Sequence, residues 1–206
     1  MSLETNSRRQ VRDDVDTVAY FAVIAVTFTL GSTLLATVLS PEFVWTEHAL
    51  SNLGVTAEDA GTQTTVLLFN GGLITGGIIG VVFAVSLFRR LTHRADKLVA
   101  AVVGSALAFM GLVGVFPQNE PLHFPVAIVF FLLISVALWT ESAVSWRLGE
   151  HQWALLSFAG GSVNILTWVV WMAGRSDPFR GIAIPEIIGA VIFGAWLCLF
   201  AVRMTR

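Results

Sequence analysis

The stretch Val18–Leu39, VAYFAVIAVTFTLGSTLLATVL, carries no Asp, Glu, Lys or Arg in 22 residues. About 20 apolar residues at 1.5 Å per residue cross the roughly 30 Å hydrocarbon layer of a bilayer, so this stretch reads as a membrane-crossing helix. It is longer than the apolar region of a signal peptide and has no clear small-x-small cleavage site at its end, which makes it a retained first span. Five more apolar blocks follow, at 65–88, 98–116, 124–144, 153–172 and 184–204. The expected fold is therefore an all-α membrane protein, a six-transmembrane-helix bundle forming a single membrane domain over 18–206. Residues 1–17, with Arg8, Arg9, Arg12, Asp13, Asp14 and Asp16, are expected to be a mobile cytoplasmic tail.

Composition points the same way. The chain has 206 residues, 55% hydrophobic and only 13% charged, with a mean hydropathy of +0.77, too little polar sequence to clothe a soluble core of that size. A net charge of −2 excludes a strongly basic nucleic-acid binder, and the lone Cys198 excludes a disulfide framework or a thiolate metal site.

Basic residues resist translocation and collect in cytoplasmic segments. Ten of the 12 lie in the N-terminal tail, the loop after span two, the loop after span four and the C-terminus; only Arg175 and Arg180 fall on the other side. Adding the acids gives +3 inside and −5 outside. A multi-pass plasma-membrane protein with both termini cytoplasmic follows. Trp45, Trp168 and Trp171 at the outer boundary, with Trp146 and Trp153 at the inner one, fit aromatic belts. Gly72, Gly76 and Gly80 recur on one face of span two, and Gly104, Ala108 and Gly111 on span three. Such small residues let helices approach closely in lipid, either within one chain or across a dimer seam, so the oligomeric state stays open.

The longest external segment contains Val44-Trp45-Thr46-Glu47-His48-Ala49-Leu50-Ser51-Asn52-Leu53-Gly54. At about 100° per residue, Trp45, Ala49, Leu50 and Leu53 share one arc and Glu47, His48, Ser51 and Asn52 the opposite one. A short amphipathic helix at the outer membrane surface is predicted, ended by Gly54. Its polar side either faces water or turns inward to line a pocket. A second outer cluster, Pro117-Gln118-Asn119-Glu120-Pro121-Leu122-His123, precedes span four. His48 and His123 are ligand types that suit zinc, but their spacing matches no standard metal signature. Inside the spans the polar residues are Asn70, Asn164, Glu141 and Glu186. A charge at the bilayer centre costs roughly 2.5–3.5 kcal/mol on insertion scales, so Glu141 and Glu186 must be paired or reach water. Arg175 and Arg180, with Asp177, are candidates to join Glu186 in an ion network or an anion clamp.

The string His48-Ala49-Leu50-Ser51-Asn52-Leu53-Gly54, the Gly114-Val115-Phe116-Pro117 ending of span three and His123 six residues after that proline resemble a polytopic prokaryotic membrane family known only as domain of unknown function 998. More distantly, the chain is similar to the eukaryotic FRAG/DRAM/SFK membrane proteins, which have a comparable Ser-x-x-Gly loop after span one. The resemblance implies six spans and an outer polar site carried by His48, Ser51, Gly54, Pro117 and His123. It implies no particular activity, and the distant similarity points only towards lipid or glycolipid-anchor biology. Asn52 stands where an acidic residue is the commoner expectation, which weakens a proton-relay or metal reading.

Two functions emerge. The first is an outer-face pocket binding a membrane lipid or small amphiphile through His48, Ser51, Asn52, Asn119, His123, Arg175, Arg180 and Glu186. The second is an intramembrane hydrolase or transferase acting on a lipid headgroup, with His48 or His123 as base or metal ligand, Glu47 or Glu120 as its orienter and Ser51 as nucleophile or hydrogen-bond donor. Transport is disfavoured, because ionisable residues near the midplane are nearly absent. No nicotinamide fingerprint, phosphate-binding loop or haem motif is present, so no cofactor is expected.

Overall fold

A computed structural model of the chain describes residues 2–57, 59–173, 177 and 180–204, with side chains from residue 18 onward. The described residues form α1 (Ser2–Leu39), a 3-10 turn (Leu50–Gly54), α2 (Gln63–Arg90), α3 (Arg94–Val115), α4 (His123–Arg147), α5 (His151–Met172) and α6 (Ala183–Met204). All six helices are long and apolar enough to cross a membrane, the first over Val18–Leu39. The protein is a multi-pass, six-helix membrane bundle. Each helix packs on the next and α6 returns to α1, so the neighbours close into a ring. The 3-10 turn marks one end of the bundle, the turn end. The N-terminal part of α1 and the last turn of α6 lie at the other, the termini end.

The helix boundaries follow local chemistry. Thr62 caps α2, its hydroxyl accepting from the Thr65 backbone N–H at 3.2 Å. Pro125 and Pro185 stand in the first turns of α4 and α6, where a missing N–H leaves no bond unmade. Residues 2–17 depart from expectation: the helical backbone of α1 continues through them to Ser2.

Small residues hold the helices together within one chain. A Cβ on Gly72 would fall 1.7 Å from Ser32 Oγ, one on Gly76 1.9 Å from Thr29 Oγ1, and one on Gly77 2.6 Å from the Gly111 Cα. The first two positions face α1 and the third faces α3, so these glycines of α2 are used in intramolecular packing. Polar ties add to this. Asn164, fully buried, donates through Nδ2 to the Phe131 carbonyl and to Ser135 Oγ, each at 2.9 Å, joining α5 to α4. Trp196 Nε1 donates to Ser157 Oγ at 2.9 Å, joining α6 to α5.

The main correction concerns the first loop. Instead of an amphipathic helix on the membrane surface, residues 45–47 make a turn, Ala49 is extended and Leu50–Gly54 forms a 3-10 turn buried on both its apolar and polar sides. Backbone bonds explain the seat. Gly181 and Ala183 donate to the carbonyls of Glu47 and His48 at 3.1 and 3.0 Å, so the start of α6 grips the loop. Gly181 has φ of +70°, and a Cβ there would meet the Thr46 carbonyl oxygen at 2.2 Å, so glycine is required twice over. From the other side, Asn70 Nδ2 of α2 donates to the Gly54 carbonyl at 2.8 Å.

Candidate functional site

The buried turn brings polar side chains into the mouth of the bundle. Asn52 closes the turn on itself, its Oδ1 accepting from the Ala49 N–H at 2.6 Å. Gln118, in the α3–α4 loop, then pins the turn: its Oε1 accepts from Asn52 Nδ2 at 3.1 Å and from Ser51 Oγ at 3.3 Å. The Leu50 N–H donates to Glu186 Oε2 of α6 at 2.6 Å. His123, at the first residue of α4, holds its ring by Nδ1 against the Phe116 carbonyl at 2.8 Å. A carbonyl only accepts, so Nδ1 carries the proton and Nε2 is the ring nitrogen left for another partner.

Ser51, His123 and Glu186 are all buried, with 5%, 3% and 7% exposure, and line two spaces at once. One is an apolar cavity of about 70 Å³ inside the bundle, reaching Ala25 and Thr29 of α1 and Leu197 of α6. The other is a cleft of about 340 Å³ between α4, α5 and α6, walled by residues such as Ile128, Leu132, Ile165 and Val169. Ala127 and Phe131 complete the shared wall. Thr29 of the cavity lining and Trp168 of the cleft lining each carry an enclosed polar atom without a hydrogen-bond partner, Thr29 Oγ1, turned towards Gly76 of α2, and Trp168 Nε1. A buried polar atom left unpaired costs about 1–3 kcal/mol.

The remaining expected residues lie elsewhere. His48 lines neither space: its ring stacks on Phe43 at 5.7 Å between centroids and its Nδ1 accepts from the Val44 N–H at 3.0 Å. Asn119 and Glu120 are exposed. Arg180 pairs with Glu47 at 3.2 Å, both more than half exposed, so the expected Arg180–Glu186 pairing is replaced by a rim contact. Asp177 is described and makes its own contact, whereas Arg175 lies outside the described residues. Among the described residues no ion pair includes Glu186, and no group of three or more His, Cys, Asp or Glu is arranged to hold a metal ion. Sequence reasoning placed Gln118 in the outer cluster without a role of its own and did not single out Thr29; Trp168, expected at the outer boundary, packs its ring 5.0 Å from Phe131.

A second polar cluster sits at the termini end. Glu141 of α4, 2% exposed, accepts from Ser145 Oγ and Trp153 Nε1 at 2.8 Å each and pairs with Arg203 of α6. Arg203 also pairs with Glu150 and lies 5.3 Å above the Trp153 ring. Trp153, read from the sequence as a belt residue, is part of this network.

Fold and site together define a six-span membrane protein whose buried polar wall stands between an internal apolar cavity and a lateral cleft. A family model described as "Protein of unknown function (DUF998)" matches residues 23–203, and the chain belongs to that family. The match does not extend to the FRAG/DRAM/SFK likeness, which stays with the Ser-x-x-Gly loop. No curated protein and no solved structure matches the chain.

Proposed function

We propose that the turn end binds a membrane lipid or small amphiphile, head at the wall of Ser51, His123 and Glu186 and chain among the apolar residues behind it. In this reading the protein lies in the plasma membrane with both termini cytoplasmic, which puts the turn end at the outer leaflet; the excess of basic residues at the termini end supports that orientation. The observation that carries the proposal is the sharing of three buried polar side chains by two apolar spaces, the composition of a site for a molecule with one polar end. Ala127 belongs to both spaces, so Ala127→Trp fills them at their common wall. Lipid extracted from the purified variant is expected to lose a species that the wild type retains. Equal lipid content in two equally folded proteins would remove the basis for the proposal.

A second reading, hydrolysis or transfer at a lipid headgroup, is favoured by one observation. His123 is oriented through Nδ1 by a backbone carbonyl, leaving Nε2 as a base. Against it, the Ser51 hydroxyl donates to Gln118, and His48 lies off the wall. The second reading expects His123→Ala to abolish turnover of one lipid in cells; unchanged lipid profiles would leave binding alone.

A further inference from the structure

Accepting that binding reading, the identity of the head follows from what the wall can offer it. Glu186 presents a carboxyl group whose described partner is a single backbone N–H, that of Leu50, at 2.6 Å. His123 has spent its Nδ1 proton on the Phe116 carbonyl, so its Nε2 offers a lone pair. Ser51 has directed its hydroxyl proton to Gln118, so its oxygen likewise offers lone pairs. The three side chains shared by the cavity and the cleft thus all offer acceptor atoms, and one of them, Glu186, is an acid whose ionised form a cation seated beside it would stabilise. Among the described residues no ion pair includes Glu186, and Arg180 is engaged by Glu47 at the rim. The loops and span ends at this side of the molecule sum to −5, which attracts cations.

We infer that the site selects an amphiphile with an ammonium head, seated between the Glu186 carboxylate and His123 Nε2. A primary ammonium supplies three donors and a positive charge to three acceptors, whereas a phosphate monoester would set its oxygens against a carboxylate and two lone pairs. The chain of such a molecule has a defined place. Glu186 and Leu197 both line the internal cavity and lie 11 positions apart on α6, about 16 Å along its axis at 1.5 Å per residue. At about 70 Å³ the cavity takes only the first few methylenes of that chain, and the larger lateral cleft of about 340 Å³ between α4, α5 and α6 holds the rest.

The ammonium has two possible sources, a phosphatidylethanolamine or a free long-chain amine, and the test separates them. The full-length protein in detergent micelles is equilibrated with four probes: octadecylamine, dioleoylphosphatidylethanolamine, octadecanol and octadecyl phosphate. Retained probe is counted by native mass spectrometry for wild type, Glu186→Gln and Ala127→Trp. At least one ammonium probe is expected to exceed the alcohol and the phosphate by roughly tenfold or more in affinity, with that preference lost in Glu186→Gln. Whichever ammonium probe is retained identifies the source. Glutamine still offers an oxygen to the Leu50 N–H, so circular dichroism and melting temperature should match wild type. Retention of octadecyl phosphate equal to that of the amine, or an ammonium preference that survives Glu186→Gln, overturns the inference. If all probes bind alike and Ala127→Trp releases them, the binding proposal stands while the head assignment fails. If none binds, both fail.

Discussion

Glu141 and Glu186 are the same residue type, both nearly inaccessible and both within membrane-spanning helices, yet their surroundings differ in kind. Glu141 is enclosed by a hydroxyl, an indole N–H and a guanidinium from three helices. Among the described residues Glu186 meets one backbone N–H, and it lines two spaces. A buried carboxylate whose neighbours satisfy it ties helices together; one left short of donors next to a cavity is positioned for something that arrives. The contrast makes the termini end a structural tie and supports the binding proposed for the turn end.

The largest expected effect tests the closed half. Arg203→Leu strands Glu141 without its cation, and a loss of about 3 kcal/mol is expected, the low end for a buried pair because Arg203 is about a quarter exposed. Thermal unfolding in detergent measures it, and adding Glu141→Gln should restore much of the loss. A melting temperature unchanged by Arg203→Leu would show the pair to be dispensable.

Next comes the seat of the turn. A Cβ on Gly54 would meet Asn70 Oδ1 at 2.6 Å and Phe69 Cδ1 at 3.0 Å. Gly54→Ala is expected to cost about 2 kcal/mol through overpacking and to lower lipid retention, since the turn carries Ser51 and the Leu50 N–H. Full retention would detach the site from the turn.

Glu186→Gln sharpens the comparison most directly. Stability is expected to change by less than about 1 kcal/mol, because the Leu50 N–H keeps an oxygen to donate to. A destabilisation as large as that of Arg203→Leu would place both carboxylates in one structural class. The smallest effect belongs to the rim, where Arg180→Ala breaks an exposed pair and should cost about 0.5 kcal/mol or less. A larger loss would mean that the α5–α6 loop leans on this pair to hold the turn in place.

Much of this was open to a reader of the sequence. Spans are set by runs of apolar residues that must bury every backbone polar group in a helix, and the observed helices lie within a few residues of the expected blocks. The glycine faces of α2 and α3 were equally visible as candidates for close packing. The site was legible in part: Ser51, His123 and Glu186 were named, and they share one wall. His48, Glu47, Asn119 and Glu120 were named on the same grounds of residue type and position, and the structure puts them elsewhere.

The residues thus determined by themselves the number of spans, their limits and the uneven distribution of charge, because these depend on composition over stretches of roughly 20 residues against a slab of lipid. Only the tertiary structure decided that Leu50–Gly54 is swallowed by the bundle, that Gln118 pins it, that Arg203 serves Glu141 and that no cation among the described residues pairs with Glu186. Those outcomes depend on contacts between residues up to 136 positions apart. A surface helix and a buried turn show nearly the same local pattern, and the choice between them lay in whether α2 and α6 offered hydrogen bonds to receive the loop.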